Sequence, residues 1–270
     1  MNNVISKDRE TFLRNKKKKK NKILFTQLSI LIGFIILWEL LGKLGIINPF
    51  ITSMPSRIVN TIANFSSNNL LSHIAVTCYE TLVGFMLGTI FGTFIAFLLW
   101  WSDFASAVSE PFLIVLHSLP KVALGPVIIV WAGAGTSAII VMALAISLIV
   151  TILEMLNGFL ATDKNLIKLA KTFNANKWQI FSKIIFPPNI STLINAMKVN
   201  IGLSLVGVIS GEFLVSKAGL GYLIVYGGQV FKLDLVMTSV IILGIVAALM
   251  YKGVLLLEKI ILKSIMHTRV

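Results

Sequence analysis

Residues 168–188 read KLAKTFNANKWQIFSKIIFPP, a basic passage set between long apolar runs. Those runs exclude a soluble globular domain, because 56% of the 270 residues are hydrophobic, only 13% are charged and the mean hydropathy is +0.89. A helix that crosses a bilayer needs about 20 predominantly apolar residues. Runs of that kind occupy 23–42, 74–100, 111–132, 136–160, 191–215 and 236–258. The spacing predicts an all-α integral membrane protein of six transmembrane helices. The quoted stretch then falls in the loop 161–190, between the fourth and fifth. Gly133-Ala134-Gly135 divides the third run from the fourth and predicts a tight hairpin there.

Within the loop, Leu166, Ile167, Leu169, Ala170 and Phe173 follow helical spacing and leave Lys164, Lys168 and Lys171 on the other side. Asn174-Ala175-Asn176 breaks that pattern. Asn174 sits where the chain must reverse, and Asn tolerates the left-handed conformation that such a turn requires. A second helix, 176–186, gathers Trp178, Phe181, Ile184 and Ile185 on one face and ends at Pro187-Pro188. Helices this short are marginal in water. The pair must therefore dock, either on lipid headgroups or on a cytoplasmic partner.

Lysine and arginine place the ends. Short loops retained in the cytoplasm are enriched in both. The segment from Lys7 to Lys22, with five consecutive lysines at 16–20, reads as a basic cytoplasmic tail (1–22) ahead of the membrane domain (23–270). It lacks a small-residue cleavage site before the apolar run and reads as an uncleaved anchor. Retention inside and anionic lipid account for its charge without a nucleic-acid partner. With six spans the loop 161–190 is also inside, carrying five lysines against Asp163, as is the C-terminus with Lys259, Lys263 and Arg269. The short turn near Asp103 and Glu110 carries neither Lys nor Arg. The outer loops hold Lys43 and Arg57, then Lys217 and Lys232.

Several positions inside the runs carry chemistry. Gly84, Gly88 and Gly92 recur every four residues, a pattern that lets helix backbones approach closely, within the protomer in the first instance. Pro120 and Pro126 remove backbone donors from the third run, so that helix should kink. Lys121 beside them is a cation at a depth that disfavours it by about 2.5–3.5 kcal/mol. Carbonyls freed by the kink, Glu154 on the fourth span or an anionic solute would compensate it. Glu212, with Gly219 and Gly221, marks the point where the fifth span emerges, and the two glycines suit a tight re-entrant turn. The sequence contains no phosphate-cradling G-x-x-x-x-G-K-[ST], and Gly227-Gly228-Gln229 lies near the outer face. Cys78 is a lone cysteine, and the three histidines, His73, His117 and His267, have no metal-ligand spacing. No catalytic constellation or metal site is expected.

The loop resembles the conserved loop of permease subunits of ATP-binding-cassette importers, E-A-A-x-x-x-G, nine residues, then I-x-x-P. Ala170, Ile184 and Pro187 match, while Lys168, Leu169 and Asn174 stand where Glu, Ala and Gly are usual. TLVGFMLGTIFGTFIAFLL (Thr81–Leu99), LPKVALGPVIIVWAGAG (Leu119–Gly135) and GEFLVSKAGLGYLI (Gly211–Ile224) are similar to segments of the nitrate/sulfonate/taurine branch. The resemblance implies a homodimer in the cell (inner or plasma) membrane. It implies a separate ATPase that binds ATP, seated on Lys168, Ala170, Asn174, Ala175, Lys177, Trp178, Ile184 and Pro187, so that this chain needs no cofactor. An extracytoplasmic solute-binding protein would deliver a small anion or a related small organic such as a thiamine-precursor pyrimidine, moved by alternating access. Pro120, Lys121, Pro126, Glu154, Glu212, Gly219 and Gly221 would line or gate the path, with Lys121 structural rather than substrate-binding. A self-sufficient carrier should show internal repeats and paired midplane charges, and a membrane-embedded enzyme should show clustered His, Asp or Glu. The sequence shows none of these clearly.

Overall fold

The computed structural model describes residues 2–64 and 69–267, with side chains from residue 9 onward except at 262 and 264–267; Arg269 and its neighbours lie outside it. All regular elements among the described residues are helical. The chain divides into two compact units, 1–64 and 65–270.

The first unit consists of α1 (Asn2–Lys43), α2 (Pro49–Thr52) and α3 (Pro55–Ala63). The basic tail is helical and continuous with the first span. Lysine is a good helix former, and nothing in 2–22 breaks the run. Two features close the unit. Asn48 caps α2 by accepting the Phe50 amide at 3.0 Å. Glu39 holds α3 by accepting the Ser56 amide at 3.1 Å while pairing with Lys43 at 3.0 Å.

The second unit contains α4 (Leu70–Trp101), α5 (Asp103–Ser118), α6 (Gly125–Ala132), α7 (Thr136–Leu160), α8 (Lys164–Thr172), α9 (Lys177–Ile180), α10 (Ile190–Val215), α11 (Leu220–Gln229) and α12 (Leu233–His267). Together with α1, the helices α4, α7, α10 and α12 are long and apolar enough to cross a membrane, and α5 with α6 makes a sixth when the bent pair is counted as one span. At the centre lies α7, packed between α4 and α10.

Small residues bring these helices together. A Cβ on Gly84 would lie 2.5 Å from the Ala143 methyl, one on Gly92 2.5 Å from Thr151 Cβ, and one on Gly88 would run into the Ser147 hydroxyl. From the other side, a Cβ on Gly207 would lie 2.7 Å from Ala143 Cα. The four-residue glycine stripe is thus used inside the protomer. Lipid tails are as apolar as leucine, so helix association rests on such close packing and on interhelical hydrogen bonds. Such bonds include Thr77 to Glu212 (2.6 Å), Asn200 to Thr151 (2.5 Å) and Lys198 to Glu258 (2.8 Å), with Asn189 to Thr162 (3.1 Å) at the helix ends.

The third span differs from a kinked continuous helix. Residues 103–110, expected as a turn, are already helical, because Ser102 caps α5 by accepting the Ala105 amide at 3.2 Å. The helix then stops before Pro120, resumes through a 3₁₀ turn (Lys121–Leu124), and the two halves meet at 86°. Pro120 removes a donor and pushes Leu119 out of the helical region (ψ 136°). Pro126, by contrast, lies in the first turn of α6, where its missing N–H costs nothing. The hairpin between α6 and α7 forms as expected, with Gly133 at φ 79° and Gly135 at φ 116°.

Candidate functional site

At one end of the second unit the loop 161–190 is set into the bundle. Asp163 caps α8 through the Asn165 amide at 2.8 Å, and Asn174 takes φ 56°, the left-handed turn its position calls for. Asn176 and Gln179 then form a reciprocal capping box at 2.8 and 2.9 Å that starts α9. Phe181–Ile185 is a π turn, closed by the Phe186 amide on the Phe181 carbonyl at 2.8 Å. The prolines explain the widened turn, since Pro187 and Pro188 supply no N–H to continue the ordinary ladder.

The loop's apolar residues do not form the single face on each helix that spacing alone suggested. Ala170, Ile180, Phe181 and Ile185 are buried, in one cluster with Ala96 of α4, Leu113 of α5 and Ile152, Met155, Leu156 and Phe159 of α7. Phe181 lies against Phe97 (4.5 Å between ring centroids), Trp100 (5.1 Å) and Phe159 (5.3 Å). Lys177 donates to the Trp101 carbonyl, with its ammonium 5.8 and 5.5 Å from the Trp100 and Trp101 rings. The carbonyl is one of those a helix end leaves unpaired. The outward side is different: Leu169 is 54% exposed and Phe173 79%. With Leu166, Ala170, Ala175, Ile184 and Pro187 they line a groove of about 650 Å³. Lys168 is exposed on α8, and Trp178 reaches across to Phe97 at 6.0 Å.

The opposite end holds a buried polar lattice. Glu212 is 1% exposed and accepts Thr77 Oγ1 at 2.6 Å and the Gly221 amide at 2.5 Å. Thr77 in turn accepts the Leu220 amide at 2.8 Å, and His73 Nδ1 accepts the Gly219 amide at 2.9 Å. Three consecutive amides at the start of α11 are therefore satisfied by side chains from α4 and α10. Glycine is required at both flanking positions. Gly219 has φ 110° and a Cβ there would overlap the Glu212 carboxyl, while one on Gly221 would lie 2.8 Å from Glu212 Oε2. Beside this lattice Glu80 is also 1% exposed. Its two oxygens have no hydrogen-bond partner of ordinary geometry among the described residues, and Thr136 and Glu212 are polar side chains near enough to interact with it.

Lys121 finds the first of its three possible compensations. Its ammonium donates to the His117 carbonyl at 2.8 Å, across the break at Pro120. Glu154 lies exposed on α7 and makes no ion pair with it. The structure thus brings Glu212, Gly219 and Gly221 together and sets Lys121, Pro120 and Pro126 at a separate break. Glu80, His73 and Thr77 were not anticipated. A lone acid in the run 74–100 was the available signal for Glu80.

A bundle of apolar helices long enough to cross a membrane, with a bent helix pair, a helical loop cemented to one end and a polar lattice closing the other, defines the class: a membrane-embedded permease. Residues 88–267 match the family described as binding-protein-dependent transport system inner membrane component, and the chain belongs to that family. It is 29% identical to a Bacillus subtilis protein described as an aliphatic sulfonates transport permease, SsuC, over 85% of this chain and 83% of that one. An ABC transporter permease protein of Haemophilus influenzae is 27% identical, covering 82% and 91%. The formylaminopyrimidine transport permease ThiX of Halalkalibacterium halodurans is 22% identical, covering 84% and 90%. Among solved structures, an inward-facing MetNI methionine ABC transporter matches at TM-score 0.59 and 19% identity, covering 68% of this chain and 95% of that one. A bacterial ABC transporter involved in alginate import matches at TM-score 0.62 and 13% identity, covering 90% and 97%. The chain is the permease subunit of an ABC importer.

Proposed function

We propose that this permease couples to a cytoplasmic ATPase through the α8–α9 loop and to an extracytoplasmic solute-binding protein at the opposite, polar end. Both chain termini are then cytoplasmic, and two copies of the chain enclose the path. One observation carries the coupling: the loop is anchored inward by Phe181 and Lys177 while it presents Leu166, Leu169 and Phe173 outward beside an apolar groove. Large apolar side chains exposed together beside a groove favour a partner there. A push on the groove is delivered directly to α4, α5 and α7 because the inward side is packed against all three. The chain performs no chemistry of its own, and ATP is bound by the partner. The solute is a small organic or inorganic anion, or a pyrimidine of the kind named for ThiX; similarity to SsuC supports a sulfonate.

The test is cross-linking in the assembled complex. Cysteines at Leu169 or Phe173, in a Cys78→Ser background, should bond to engineered cysteines on the ATPase. One at Lys177, turned toward the Trp101 carbonyl, should react far less. Equal reaction at all three positions, or none at Phe173, would overturn the docking surface.

A further inference from the structure

A second cavity, of about 390 Å³, opens on the other side of the loop from the groove. Its polar lining includes Lys164, Lys171 and Lys177 against a single carboxylate, Asp103. Lys164 and Lys171 are seven residues apart, two helical turns, and so share one side of α8. Leu166 and Leu169 line the groove instead. The helix therefore shows a basic side to one cavity and an apolar side to the other. Lys177 is held in place by the Trp101 carbonyl, and Asp163, next to Lys164 in the chain, accepts the Asn165 amide. Trp100 and Phe159, near the ends of α4 and α7, belong to the cavity wall.

From this placement we infer that the cavity binds the phosphate headgroup of an anionic phospholipid. The inference rests on the loop lying at the cytoplasmic leaflet, where anionic lipid is concentrated. Basic pockets between spans at that surface suit such headgroups, and tryptophan, here Trp100 in the cavity wall, is enriched at the headgroup level. The volume falls in the range of about 300–1,000 Å³ that small-molecule sites occupy. A bound headgroup would join α8 to the end of α4 through Lys177, stiffening the connection that coupling uses.

Native mass spectrometry of the permease–ATPase complex, taken from phosphatidylcholine nanodiscs with and without phosphatidylglycerol, tests this. Phosphatidylglycerol should be retained in preference to phosphatidylcholine. Lys164→Gln/Lys171→Gln should lower that retention about thirty-fold, each lysine near an anionic surface contributing a factor of about five. A Lys259→Gln/Lys263→Gln control should leave it unchanged. Equal retention of the two lipids, or an unaltered preference in the loop variant, would overturn the site. Displacement of the lipid by inorganic phosphate would overturn the choice of a lipid over a free anion. Retention does not depend on turnover, so a lipid preference without any ATPase response separates failure of the coupling reading from failure of this one.

Discussion

Thr77 and Glu212 meet at 2.6 Å across α4 and α10, and the hydroxyl that donates to Glu212 also accepts the Leu220 amide at 2.8 Å. One side chain thus joins three helices. Thr77→Val keeps the shape and removes both bonds. A single interhelical bond in a bilayer contributes about 0.6 kcal/mol and at most about 1.7, so losing two should cost about 1–3 kcal/mol. Thermal unfolding in detergent should show that loss, and Thr77→Ser should recover most of it. Unchanged stability in Thr77→Val would mean that the lattice does not hold α11.

Close approach of α4 to α7 is tested at Gly88, whose Cβ would run into the Ser147 hydroxyl. Gly88→Ala should destabilise by about 1–3 kcal/mol, the usual cost of overpacking. Gly88→Ala/Ser147→Gly should restore folding yield. Gly202→Ala, with nothing within 4 Å, should be neutral or slightly stabilising. Melting temperatures of the three variants decide the matter.

Asn174 carries the turn of the loop at φ 56°, and its amide donates to the Lys171 carbonyl at 3.0 Å. Asn174→Gly should therefore transport normally. Asn174→Val must hold a branched residue in a left-handed conformation, at a cost of about 1–2 kcal/mol. It should reach the membrane yet lose most solute-stimulated ATPase activity. Normal coupling in Asn174→Val would remove the turn from the mechanism.

Lys121 is bound to its own chain, at the His117 carbonyl, rather than to a charge elsewhere. Lys121→Met should insert and keep its ATPase. Uptake and stimulated ATPase should then fall together by roughly three- to tenfold, the equivalent of one lost bond of about 0.6–1.4 kcal/mol. Selective loss of uptake with ATPase intact would instead assign the lysine to the solute.

What the sequence disclosed and what it withheld divide along one line. Asn174, Pro187 and the glycines at 84, 88 and 92 were legible because each constrains its own backbone: a reversal, a helix end, a close approach. The five long spans followed from run length in the same way. Partners across helices were not legible. Nothing in the spacing of Lys177 points to the Trp101 carbonyl, 76 positions away in the chain, nor does His73 announce Gly219. The two sides of α8 were merged for the same reason, since Ala170 is buried and Leu169 exposed only because of what α4, α5 and α7 present to them. Pro120 marks an interruption in the sequence, but the 86° between the halves is not legible there.

The run of five lysines in α1 has a geometric result of its own. Successive helical residues are about 100° apart, so five in a row pass once round the axis. No side of the helix at that level is left uncharged, so it can neither lay an apolar face into a bilayer nor slide into the hydrocarbon core. The apolar stretch beyond, 23–42, is about 30 Å long, close to the thickness of the hydrocarbon core. The lysines therefore act as a collar that fixes how deep the first span can sit, whichever leaflet they face.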